Sequence, residues 1–215
     1  MPGFKMRSED GSILTYTAKI FPFLTHEQSK PKYQGKASFE ITEMRFQTSI
    51  GTYLDSPYHR YPNKRDISQI LLDEVVLNGS VIDVREMKPF QSVPPGVITK
   101  NHNDSIGKAV LFNFGWDQYW GTDKYYKYPF ISKELINRLL EQKVKLIGVD
   151  TINIDDSRDL SRPAHSIFLA NDILIVENLR NLNTLHNRKF RFYAVPIKGR
   201  KVAAMPVRAF AEILP

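Results

Sequence analysis

Four short, mainly apolar runs limit what this chain can fold into. They are Val81-Ile82-Asp83-Val84, Ala109-Val110-Leu111-Phe112, Leu146-Ile147-Gly148-Val149 and Ile173-Leu174-Ile175-Val176. Each has the length of a buried strand, well short of the ~20 apolar residues that span a membrane. Helical patterning separates the last three. Ser132 to Lys143 places Leu135, Ile136, Leu139 and Leu140 on one face, with Ser132 as the N-cap, and a short helix is predicted over Ala164 to Ala170. Strands alternating with helices predict an α/β chain with a mixed sheet. Three further strands are expected. Phe39 to Phe46 is one, the charge-alternating Arg188 to Tyr193 is another, and Val75-Val76-Leu77 is to pair with Val81 to Val84 as a hairpin around Asn78-Gly79. Residues 1–38, polar and broken by Pro22, Pro31 and Gly35, are predicted to be an irregular N-terminal segment preceding one domain over 39–215.

Composition removes several kinds of chemistry. The 215 residues contain no cysteine, which excludes disulfides, thiolate metal ligands and a cysteine nucleophile. Any metal must be held by carboxylates and the five histidines. The net charge of +7 permits a nucleic-acid partner, but no nucleic-acid motif accompanies it, so none is expected. The first ten residues lack the apolar core of a signal peptide, which predicts a cytoplasmic location, and no membrane association is expected.

Two segments carry reactive groups. Gln47 to Arg60 gathers Ser49, Tyr53, Asp55 and His59 around Gly51 and Pro57. Asp55 could bind a metal or orient an imidazole, and His59 suits proton transfer near neutral pH. Alternatively, Asp55 caps backbone amides in a turn and His59 lies at the surface. In the second segment His165 begins a short helix and Glu177 ends an apolar strand, the edge where α/β sheets place ligands. A buried carboxylate there needs a metal, a histidine or an arginine such as Arg180 or Arg208. Asp55, His165 and Glu177 together form a donor set for Zn²⁺ or Mn²⁺ with positions left open for water. Arg60 and Arg208 could bind a substrate carboxylate or form surface ion pairs.

These segments resemble the kynurenine formamidase-like family, also called the cyclase family of metal-dependent hydrolases. Its signature reads His-x-Gly-Thr-His-x-Asp-x-Pro-x-His, and this chain reads Ser49-Ile50-Gly51-Thr52-Tyr53-Leu54-Asp55-Ser56-Pro57-Tyr58-His59. Further likeness runs through Gly115-Trp116, through Gly148-Val149-Asp150-Thr151-Ile152-Asn153-Ile154-Asp155, through the His165 and Glu177 spacing, and through Pro206-Val207-Arg208-Ala209. The resemblance implies a single domain with a mixed β-sheet in the swivelling β/β/α fold. It also implies a homo-oligomer and hydrolysis of a small cyclic or acylated amide or ester, as in an arylformamidase.

The departure is informative. The first two signature histidines, metal ligands in the family, are Ser49 and Tyr53 here. The resemblance therefore leaves one divalent metal, zinc or manganese, at Asp55, His165 and Glu177. It leaves His59 as general base then acid, with Tyr53 and Ser49 donating hydrogen bonds to the developing oxyanion. Trp116 and Trp120 either stack on a small-molecule substrate or form a core stripe. The alternatives are a metal-free hydrolase and a non-catalytic small-molecule-binding protein on the same fold.

Overall fold

The computed structural model describes residues 4–7, 13–98 and 108–215. The chain divides into two compact units, Met1–Ile50 and Gly51–Pro215.

In the first unit, strand β1 (Phe4–Arg7) pairs antiparallel with β2 (Ile13–Tyr16). Strand β3 (Lys19–Leu24) leads through the one-turn helix α1 (His26–Ser29) and a 3-10 turn to β4 (Ile41–Arg45), its antiparallel partner. These strands correct the expectation of an irregular segment over 1–38. Each breaker sits where it does no harm. Pro22 lies at a register shift of β3, Pro31 opens the 3-10 turn where its missing N–H is not needed, and Gly35 takes a left-handed conformation with φ of 81°. The strand expected over Phe39 to Phe46 is β4. The boundary between the units falls after Ile50, inside the stretch expected to be one domain.

The second unit carries an eight-stranded mixed sheet. In chain order its elements are β5 (Tyr53–Asp55), β6 (Val76–Asp83), β7 (Ser92–Val93), β8 (Ala109–Asn113), β9 (Phe130–Ile131), helix α2 (Lys133–Glu141) and β10 (Leu146–Val149). Helix α3 (Pro163–Ala170), β11 (Leu174–Glu177), β12 (Phe190–Tyr193), β13 (Ala204–Pro206) and β14 (Phe210–Ile213) follow. The sheet order is β13-β5-β11-β10-β8-β6-β12-β14, and β7 and β9 form a separate parallel pair. The four central strands β11, β10, β8 and β6 run parallel, and the outer ones antiparallel. Strands β13 and β14 lie at opposite edges yet are joined by residues 207–209 alone. Such a link spans at most roughly 14 Å, so the sheet curls until its edges approach.

Alternation along each strand decides which side chains meet inside the curl. Leu54, Leu77, Leu111, Leu146, Val176, Phe190 and Phe192 form one buried cluster, with Met205 and Ala211 packed against it from the two edges. Helix α2 packs against α3. Its Ser132 hydroxyl accepts from the Leu135 amide at 3.1 Å, and Leu135, Ile136 and Leu139 are buried as the spacing predicted, with Leu140 half-buried.

The hairpin expected at Asn78-Gly79 does not form. Strand β6 runs straight through both residues, and Phe190 stands opposite Gly79 in register. The Phe190 ring lies where a Cβ on Gly79 would be, so this glycine serves a close approach rather than a turn. Among the described residues no helix is long and apolar enough to cross a membrane.

Candidate metal centre

The functional groups project from the face of the sheet opposite that cluster. In β5, Leu54 joins the cluster, so its neighbours Tyr53 and Asp55 turn to the other side. In β11, Leu174 and Val176 do the same and leave Glu177 beside them. The antiparallel pairing sets Tyr53 directly opposite Glu177. The Tyr53 hydroxyl donates to Glu177 Oε2. His59 follows on the 3-10 turn Pro57–His59, and His165 sits in the first turn of α3.

The donor atoms converge. Asp55 Oδ1 is 3.5 Å from His59 Nδ1, and Asp55 Oδ2 is 3.7 Å from His165 Nε2. His165 Nε2 is also 3.6 Å from Glu177 Oε1. One donor atom each from Asp55, His59 and His165 all lie within 4.8 Å of one another. Glu177 adjoins this triad through His165. His59 is the member that reaches solvent, its side chain 37% exposed, whereas Asp55 and Glu177 are fully buried.

A residue to which the sequence reading gave no role holds the arrangement in place. Asp155 Oδ2 is 2.6 Å from His165 Nδ1, and the Asp155 carboxylate also accepts from the backbone amides of Ala164 and His165. It thus caps the N-terminus of α3, whose N-cap residue Arg162 offers no side-chain bond. With Nδ1 bound to Asp155, the Nε2 of His165 is turned toward Asp55 and Glu177. Burial works against a charged Asp155, but His165 and the two amides hold its carboxyl below the usual range. The signal was present in the sequence, since Asp155 ends the Gly148 to Asp155 block.

Electrostatics show that the site is rich in negative charge. Burial pulls the His165 imidazole toward neutrality, yet the hydrogen bond to Asp155 and the nearby Asp55 and Glu177 carboxylates raise its pKa to about 10. Burial, with the Asp55 charge and against the pull of His165, pushes Glu177 up to about 7. The Tyr53 phenol rises well above its ordinary value through burial and the neighbouring Glu177 and Asp55. Most telling is Asp55, fully buried with no hydrogen-bond partner on either oxygen. A lone buried carboxylate is costly. A divalent cation satisfies such a carboxylate together with imidazole nitrogen and a second carboxylate, so these residues fit a metal ion.

A profile of the Cyclase family, described as "Putative cyclase", matches residues 14–156. The chain belongs to the cyclase family. An uncharacterised protein of Methanocaldococcus jannaschii is 33% identical over 104 residues, which cover 47% of this chain and about half, 52%, of that relative. A kynurenine formamidase of Bordetella avium is 27% identical over 88% of this chain and 90% of its own length. Among solved structures, isatin hydrolase A from Ralstonia solanacearum superposes with a TM-score of 0.81 at 19% identity, covering 98% of this chain and 86% of that one. A potential metal-dependent hydrolase with cyclase activity gives a TM-score of 0.67 at 18% identity, over 90% and 96% of the two chains.

Other expected site residues of this cyclase-family chain lie as follows. Ser49 is half-buried in the bend that ends the first unit. The Tyr53 hydroxyl, expected to donate to an oxyanion, donates to Glu177 Oε2. Glu177 meets Tyr53, the Ile154 amide and His165 rather than Arg180 or Arg208. Trp116 is 4% exposed and packs edge-on against Tyr119 at 5.0 Å. Trp120, half-buried, packs edge-on against Tyr125 at 5.2 Å, whose hydroxyl donates to Asn178 beside Glu177. Arg60 donates to Ser166 Oγ and to the Ser161 carbonyl, pinning the start of α3.

Proposed function

We propose that the protein is a metal-assisted hydrolase of a small amide or ester, cyclic or acylated, working with one divalent ion at Asp55, His165 and Glu177. The observation that carries this reading is the buried Asp55 carboxylate, which accepts no hydrogen bond and faces two histidines. The kynurenine formamidase and isatin hydrolase relatives support the reaction class, and the metal-dependent neighbour supports the ion. A divalent ion held there supplies Lewis acidity, polarising a carbonyl and making hydroxide available near neutral pH. Asp155 fixes His165, while Tyr53 fixes Glu177. His59, the member open to solvent, carries the proton from water to the leaving group. A metal-free reaction run by the Tyr53 hydroxyl finds no support, since its one proton is already donated and burial keeps the phenol neutral.

The test is turnover of N-formyl anilides, aryl lactones and cyclic amides by chelated protein and by protein resupplied with Zn²⁺ or Mn²⁺. Activity restored by an ion is the expected result. His59→Gln should lower turnover ~10²–10⁴-fold while leaving ion binding largely intact. Equal turnover with and without ion, or none under any condition, contradicts the proposal.

A further inference from the structure

The backbone at Arg162 is held in a conformation that two rules disfavour. With φ of 49° and ψ of 60° it is left-handed, although it carries a full side chain. It also directly precedes Pro163, and a residue before proline is normally extended. Such strain persists only where surrounding contacts impose it, and it gathers at functional sites. Here the contacts are visible on both sides. The Ser166 amide bonds to the Arg162 carbonyl at 2.9 Å, and the Arg162 amide bonds to the Asp159 carbonyl at 3.2 Å. Arg60 and Tyr61 grip the same loop through Ser161 and Ser166.

The strained backbone places a guanidinium beside the metal centre. Arg162 Nε is 3.6 Å from Asp155 Oδ2, the oxygen that holds His165 Nδ1 at 2.6 Å. The charge of Arg162 is felt at the hydroxyls of Tyr53 and Tyr128. Its side chain is 27% exposed, so solvent and solutes reach it. Its two terminal nitrogens make no hydrogen bond among the described residues. A guanidinium held near a buried carboxylate by an ion pair at Nε, with its terminal nitrogens making no hydrogen bond among the described residues, is shaped to take a second carboxylate.

We propose that Arg162 is the substrate-binding residue that selects molecules carrying a carboxylate next to the bond hydrolysed at the Asp55–His59–His165–Glu177 group. The inference rests on the hydrolase reading for substrate turnover, but its binding component does not. An arginine that only balances Asp155 would affect charged and neutral substrates alike.

The experiment compares Arg162→Gln and Arg162→Lys with the unaltered protein in two measurements. In the first, the ion-loaded enzyme hydrolyses formanilide and its ortho-carboxylate, N-formylanthranilate. Arg162→Gln should lower kcat/KM for the carboxylate roughly 10- to 100-fold, chiefly through KM, and change formanilide little. Arg162→Lys should recover part of the loss. In the second, metal-free protein is titrated with benzoate and, as a neutral control, benzamide. Benzoate should bind, weaken about tenfold or more in Arg162→Gln, and leave benzamide unaffected. Equal losses for both substrates overturn the proposal. So does benzoate that binds neither protein, or binds both equally. If neither anilide is hydrolysed by the unaltered enzyme, the hydrolase reading fails, and the benzoate titration still decides the role of Arg162.

Discussion

At the scale of single residues, the site is a set of buried charges whose partners are mostly fixed and one of which, Asp55, is left open. Asp155 shows how the fixed ones act. Its carboxylate takes three donors, one of them His165 Nδ1, so Asp155→Asn should leave a folded protein whose cation affinity falls by ~10–100-fold. Calorimetric titration of the variant with Zn²⁺ checks this, and an unchanged affinity would reduce Asp155 to a helix cap. Asp150 lies apart from the centre and makes a different point. Burial raises its carboxyl to about 7, against the pull of the Phe114 and Trp116 amides, which it accepts. Its folded pKa lies above the ordinary unfolded value of ~3.9. The folded protein thus binds the extra proton, and this group's contribution to stability is complete below about pH 4 and is lost as pH rises through about 7. Carboxyl-carbon NMR of Asp150 should show a midpoint near 7, and a midpoint near 4 would contradict the burial argument.

At the scale of elements, strands and helices followed from sequence where a periodic apolar pattern coincided with a boundary signal. Helix α2 begins at its Ser132 cap and buries the face its spacing assigns. Strand β10 coincides with its apolar run, and β8 and β11 each extend one polar residue beyond theirs, to Asn113 and Glu177. The pattern failed where a local signal had a tertiary cause. Asn78-Gly79 looks like a hairpin turn, but the glycine is there because Phe190 of β12 covers it, and no local rule reports a ring arriving from more than a hundred residues away. Gly79→Ala should therefore destabilise by about 1–3 kcal/mol through overpacking in chemical denaturation. A change within ~0.5 kcal/mol would mean that the strands part easily at this point. The convergence of Asp55, His59, His165 and Glu177 was legible in outline, since they lay in recognisable blocks. The destination of the Tyr53 proton was not, because it depends on the antiparallel register of β5 and β11.

At the scale of the whole second unit, the curled sheet joins two functions that its alternation keeps separate. One face closes into an apolar cluster, and the other collects groups from β5, β11 and α3 and from the turns after β5 and β10. Segments more than a hundred residues apart thereby share one small volume around a buried carboxylate that accepts no hydrogen bond. Cation binding should accordingly stabilise the folded chain by mass action, by about 2.7 kcal/mol when free ion is a hundredfold above its dissociation constant. The most direct measurement is calorimetric titration of metal-free protein with Zn²⁺ and with Mn²⁺, repeated on Asp55→Asn. The account expects one ion per chain and loss of that binding in the variant. Absence of binding, or the same affinity without the Asp55 carboxylate, would contradict it.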